Sequence, residues 1–73
     1  MDKMPLLKTF ALNIKFERMK LGYTQEKVAE ELEFSTVYIS NVESGKCDLS
    51  LSNAQKFASF YGKSLDYLIT EKK

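Results

Sequence analysis

Thr36, Val37, Ser40, Asn41 and Ser44 share one side of a short run whose other side, Ile39 and Val42, is apolar. Read at helical spacing, Ile39 and Val42 turn inward and the rest turn outward. The outward set offers hydroxyls that donate and accept, and an amide that does both at once. Such groups suit the edges of nucleic-acid bases. Asparagine pairs bidentately with adenine, serine and threonine hydroxyls bond several edges, and the valine side chain meets a thymine methyl. A polar face of this kind also suits plain solvent, and residue types alone leave both readings open. Catalysis is a poor fit. The chain has no histidine and no nucleophile–base pair at workable spacing, so no catalytic residue is expected.

The elements that must hold this face are legible around it. From Leu21 to Gly45 the chain reads as helix, sharp turn and second helix. Thr24 precedes the first run, with inner residues Val28, Ala29 and Leu32; Ser35 precedes the second. Only about three residues separate the two, so the helices must cross steeply, which is the geometry of a helix-turn-helix. Upstream, Pro5 suits a first helical turn. Leu7, Phe10, Ile14 and Leu21 then fall on one face of a helix over about 6–21, with Leu6, Phe16 and Met19 nearby. Gly22, Gly45 and Gly62 mark helix ends. Ser50 caps a fourth helix through Leu51, Ala54, Phe57, Ala58 and Tyr61, and Ser64 caps a short fifth over 65–70. The tail, 71–73, is charged and expected to fray. The expectation is an all-α fold of five helices in a single domain spanning 1–73, folded over 5–70.

Composition narrows the function classes. A chain of 73 residues with one cysteine and no histidine forms neither an internal disulfide nor a usual zinc site. Its small core must lean on helix packing or on a partner chain. Eleven basic and ten acidic residues give a net charge of +1, so bulk charge does not favour nucleic acid. Any positive surface must be local, or affinity must come from pairing two weak subunits. There is no apolar run near the ~20 residues of a membrane span, and the N-terminus lacks a signal peptide's pattern. A cytoplasmic protein with no cofactor, metal or small-molecule ligand is expected.

Several tokens in consistent register resemble the lambda-repressor/Cro-type helix-turn-helix family, also called the xenobiotic-response-element family. They are Arg18 ahead of Gly22, Thr24-Gln25-Glu26, Val28-Ala29 with Leu32, Ser35 with Tyr38-Ile39-Ser40, Glu43-Ser44-Gly45-Lys46, Ser50-Leu51, and Gly62 to Leu68. The resemblance spans roughly 8–69. It implies a lambda-repressor-like five-helix domain binding double-stranded DNA, with the third helix in the major groove. By the same resemblance Thr36, Val37, Ser40 and Asn41 contact bases. Gln25, Tyr38, Ser44, Lys46, Ser50 and Asn53 contact the DNA backbone, the Gln25 amide also bracing the first residues of the third helix. Arg18 and Glu43 form a structural ion pair between the first and third helices.

Departures from the family pattern are specific. Glu33 stands where the turn usually has glycine, implying strain of order 1 kcal/mol if the turn keeps its left-handed residue. The recognition helix lacks the common basic residues at Thr36, Asn41 and Ser44, and the outer face of the second helix is acidic at Glu26, Glu30, Glu31 and Glu33. Cys47 stands where a basic residue is frequent and reads as an incidental surface thiol. Relatives mostly act as dimers on palindromes, so a homodimer is expected. Phe60, Tyr67 and Ile69 are its candidate interface, with Phe60 the best exposed apolar candidate. The resulting expectation is a repressor or controller on a palindromic operator. The alternative is a protein-interaction module such as an antitoxin or anti-repressor target.

Overall fold

The computed structural model describes residues 5–71. Within them the chain forms five helices: α1 (Pro5–Lys20), α2 (Gln25–Leu32), α3 (Thr36–Glu43), α4 (Leu51–Tyr61) and α5 (Leu65–Leu68). No strand occurs among the described residues. Each of the last four begins with a hydroxyl cap. Thr24, Ser35, Ser50 and Ser64 accept from the backbone N–H groups of Lys27, Tyr38, Asn53 and Tyr67. Each bond satisfies a donor that the first helical turn leaves open.

The exits share one device. After α1, α2, α3 and α4 a left-handed residue follows, and the next N–H returns to a carbonyl five residues back: Tyr23 to Arg18, Phe34 to Ala29, Lys46 to Asn41 and Lys63 to Ala58. This is the Schellman closure. In three cases the left-handed residue is glycine, but after α2 it is Glu33, at φ 62°. Glutamate there bears the Cβ–carbonyl crowding that glycine avoids.

α1 and α2 both pack on α3, α4 contacts α1 and α2, and α5 closes against α1 and α4. The core between them holds Phe10, Ile14, Val28, Ile39, Val42, Phe57 and Leu68, with Ala29 and Ala58 where helices approach closely. The ring of Phe57 meets those of Phe10 and Phe34 edge-on and tilted. Burying each large apolar side chain contributes about 1.5–3 kcal/mol.

Four features differ from the sequence expectation. Leu21 is half exposed because α1 ends at Lys20 and the chain then turns at Gly22. Leu6, Phe16 and Met19 are exposed, since the α1 face meeting the core is the one carrying Phe10, Ala11 and Ile14. Leu51 is 76% exposed, one turn ahead of the residues of α4 that reach the core. The fifth helix stops at Leu68, with Ile69 as its C-cap. At that exit Asn13, buried in α1, donates its amide to the carbonyls of Leu68 (2.7 Å) and Thr70 (3.0 Å). Lys72 and Lys73 of the expected fraying tail lie outside the described residues.

Candidate nucleic-acid interface

The orientation of α3 is set from its inner side. Ile39 and Val42 are fully buried, and Glu43 is buried with them. A buried carboxylate is costly unless its oxygens are matched by donors. Three side-chain bonds match it. Arg18 donates from Nε to Oε2 at 2.7 Å and from Nη2 to Oε1 at 3.0 Å. Gln25 donates its amide to Oε1 at 3.1 Å. Arg18 also donates from Nη1 to the carbonyl of Tyr23 at 2.9 Å. One carboxylate thus joins α1, α2, α3 and the loop between the first two, and the bidentate fork fixes direction as well as distance. The hydrogen bond to Glu43, and then its charge, raise the Arg18 guanidinium above its ordinary pKa against the opposing effect of burial. The Tyr61 hydroxyl has no hydrogen-bond partner among the described residues. Burial first, and then the charge of Glu43, hold it well above its ordinary value.

With that side fixed, the other side of α3 looks outward. Val37 is 69% exposed, Ser40 and Ser44 are exposed, and Thr36 and Asn41 are half-buried. The Asn41 carbonyl accepts from the Ser44 hydroxyl and the Lys46 backbone N–H. No described residue bonds its side-chain amide, which leaves both amide donor and acceptor for an incoming edge. Neither Lys nor Arg lies within α3, so this face is polar but uncharged.

Groups suited to a phosphate backbone flank it. Tyr38 is half-buried, stacked edge-on against Phe34 at 4.8 Å, and its hydroxyl accepts from the Asn53 amide at 3.0 Å. Its own O–H remains free to donate. That bond ties α3 to the start of α4, where Ser50 caps a helix N-terminus whose first N–H groups favour an anion. Lys46 is exposed in the loop between them. Gln25 opens α2, and its backbone N–H lies at a second helix N-terminus. The structure corrects the expectation for its side chain. The amide braces Glu43 at the end of α3, not the first residues of that helix, and shares Oε1 with the Arg18 guanidinium.

The sequence model of the helix-turn-helix family matches residues 14–68, the region that contains α2, the turn at Glu33 and α3. The chain belongs to the helix-turn-helix family. The helix-turn-helix is a DNA-binding motif, and the five-helix arrangement is a lambda-repressor-like fold. The chain is also similar to a protein of Neisseria meningitidis serogroup B (strain ATCC BAA-335 / MC58) described as a Neisseria hypothetical transcription factor. The two are 31% identical over 61 residues, covering 84% of this chain and 58% of the relative. The chain therefore spans little more than half the length of that relative. No solved structure matches it.

The remaining residues singled out from sequence sit as follows. Phe60 is half-buried, packed on the rings of Tyr23 (5.8 Å) and Tyr61 (5.0 Å), and so is not among the most exposed apolar side chains as expected. Its neighbours are aromatic rings already inside the domain. Tyr67 is half-buried under Lys63, whose Nζ lies 4.7 Å from the ring centre, and its hydroxyl donates to Glu17. Ile69 is half-buried at the exit of α5. Cys47 is half-buried against the core, and burial, then Asp48, raises its thiol pKa. Sequence reasoning missed the Tyr38–Asn53 bond and the buried pair Asn13 and Glu17. The second had a signal: two polar residues four apart, bordering the apolar face of α1.

Proposed function

We propose that the chain is a sequence-specific transcriptional regulator, of repressor or controller type, that binds a palindromic operator as a homodimer with α3 in the major groove. The observation that carries this reading is the outward face of α3. Val37 and Ser40 are exposed and the Asn41 amide is unengaged, on a helix whose opposite side is locked by a buried, fully matched carboxylate. A rigid helix with open hydrogen-bonding groups is what direct base reading requires.

In this reading Thr36, Val37, Ser40 and Asn41 contact bases. Gln25 through its backbone N–H, Tyr38, Ser44, Lys46, Ser50 and Asn53 hold phosphates. Phe60, Tyr67 and Ile69 contribute to the dimer contact, and pairing supplies affinity that the uncharged face of one subunit lacks. The transcription-factor description of the Neisseria relative supports the regulatory role.

The test is selection of binding sites from random duplexes with the purified protein at two salt concentrations. A two-fold symmetric consensus whose affinity falls with salt is expected; no enrichment at either concentration sinks the reading. Sedimentation of Phe60→Glu then checks the dimer contact. Monomers are expected, and unchanged dimers remove Phe60 from the interface.

A further inference from the structure

The Tyr38 hydroxyl accepts from the Asn53 amide at 3.0 Å, and among the described residues this is the one side-chain hydrogen bond between α3 and α4. Tyr38 lies in the first turn of α3 and Asn53 in the first turn of α4, so the bond joins one helix start to another. Neither partner swings freely. The Tyr38 ring stacks on Phe34 at 4.8 Å, and Phe34 packs in turn on the fully buried Phe57 at 5.6 Å. Asn53 is half-buried, and its backbone N–H goes to the Ser50 hydroxyl at 3.0 Å. The backbone donor of Asn53 and one of its amide N–H groups are therefore spent inside the protein. A phenol oxygen accepts as well as donates. Accepting from Asn53 occupies a lone pair and leaves the O–H. A hydroxyl that accepts one hydrogen bond donates the next more strongly.

The inference rests on the DNA-binding reading, in which Tyr38 and Asn53 both serve the phosphate backbone, and it divides the work between them. We infer that Asn53 is a positioning residue that reaches phosphate only through Tyr38. Its amide pins the phenol oxygen, and the positive end of the N–H turns the Tyr38 O–H away from itself and towards a phosphate oxygen. A hydroxyl already placed loses less freedom when the DNA arrives. The same bond fixes the spacing between the Tyr38 O–H and the anion-favouring N–H groups at the start of α4. A direct contact from Asn53 fits less well. With one N–H on Tyr38 and the backbone N–H on Ser50, what remains is a single N–H beside a carbonyl oxygen, which a phosphate oxygen repels.

The experiment is a double-mutant cycle on duplex binding, with Tyr38→Phe, Asn53→Ala and the two combined, read by fluorescence anisotropy. A random-sequence duplex at low salt suffices, because backbone contacts do not depend on sequence. Tyr38→Phe should weaken binding about tenfold or more, the loss of one hydrogen bond to a charged group. Asn53→Ala should weaken it roughly threefold, the share of that bond owed to its polarisation and placement, and should add nothing once residue 38 is phenylalanine. Tyr38→Phe keeps the stacked ring and alanine suits a helix, so the variants should melt close to the parent. Neutral methylphosphonate linkages, placed one at a time in a selected operator, supply a readout that a merely structural tie would not move. At one linkage or more, neutralisation should weaken the parent, leave Tyr38→Phe unchanged and weaken Asn53→Ala by less than the parent. Losses that multiply in the combined variant place Asn53 on the DNA itself and overturn the inference. An unchanged affinity in Asn53→Ala, or the lack of any such linkage, overturns it too. So do equal losses in the two single variants with equal falls in melting temperature, which mark a structural tie alone. A parent protein that binds no duplex retires the DNA-binding reading and this inference with it, whereas the other outcomes leave that reading standing.

Discussion

The outer faces of α1 and α3 have opposite chemistry, although a single ion pair joins the two helices. α3 presents hydroxyls, an amide and one valine, with no charge. α1 presents leucine, phenylalanine and methionine between lysines. Both helices have buried inner faces, and Arg18 of α1 grips Glu43 of α3. The contrast teaches that burial on one side says nothing about the work of the other. An uncharged polar face reads hydrogen-bonding patterns and depends on rigid placement, whereas an apolar face gains free energy on contact and depends on a partner of matching shape.

The largest expected effect strikes what the two helices share. Glu43→Ala leaves the Arg18 guanidinium without its carboxylate and the Gln25 amide without its acceptor, which should cost about 3 kcal/mol or more. At roughly 4–8 °C per kcal/mol for a domain this small, the melting temperature should fall by more than about 10 °C. An unchanged melt would show that the ion pair does not hold the helices together.

The next separates the faces. Asn41→Ala should weaken binding to a selected operator by about 1–3 kcal/mol while leaving the melt in place, and Phe16→Gln should leave operator affinity untouched. Equal losses in an electrophoretic mobility assay would erase the distinction between the faces.

A smaller effect concerns the turn that aims α3. Glu33→Gly relieves the left-handed strain, of order 1–2 kcal/mol, and gives back part of it through the freer unfolded chain. The net stabilisation should be at most about 1 kcal/mol in urea unfolding, and clear destabilisation would mean that the glutamate makes a compensating contact. The smallest concerns Cys47, beside Lys46 in the loop between α3 and α4. A thiol whose pKa is raised stays protonated at neutral pH, so iodoacetamide should alkylate it more slowly than a free cysteine, the rate climbing only as pH rises further. A rate above that of free cysteine would make it a reactive site.

Legibility in the sequence followed the range of the interaction. Thr24, Ser35, Ser50 and Ser64 cap their helices through bonds to N–H groups three residues on, so local spacing sufficed. The inner residues Val28, Ile39, Val42 and Phe57 followed from periodicity, because each helix buries the face that its own apolar spacing defines. Leu21 and Leu51 misled for a related reason. They continue the apolar spacing past the point where a helix ends or the core begins, and periodicity contains no information on where the neighbouring helix stops. Phe60 misled in the opposite sense, since Tyr23, which covers it, lies far away in sequence.

The sequence by itself therefore determined the five helices, the hydroxyl caps of the last four, and the polar set Thr36, Val37, Ser40, Asn41 and Ser44 opposite the buried side of α3. All of these depend on contacts a few residues apart or on the repeat of one helix. Only the tertiary structure decided that Gln25 braces Glu43, that Asn53 bonds Tyr38 and that Asn13 ties α1 to the end of α5. It also decided that Phe16 and Met19 face outward. Which side of an apolar-rich helix is covered depends on how many neighbours pack on it, and that number is fixed by the assembled fold rather than by any single helix.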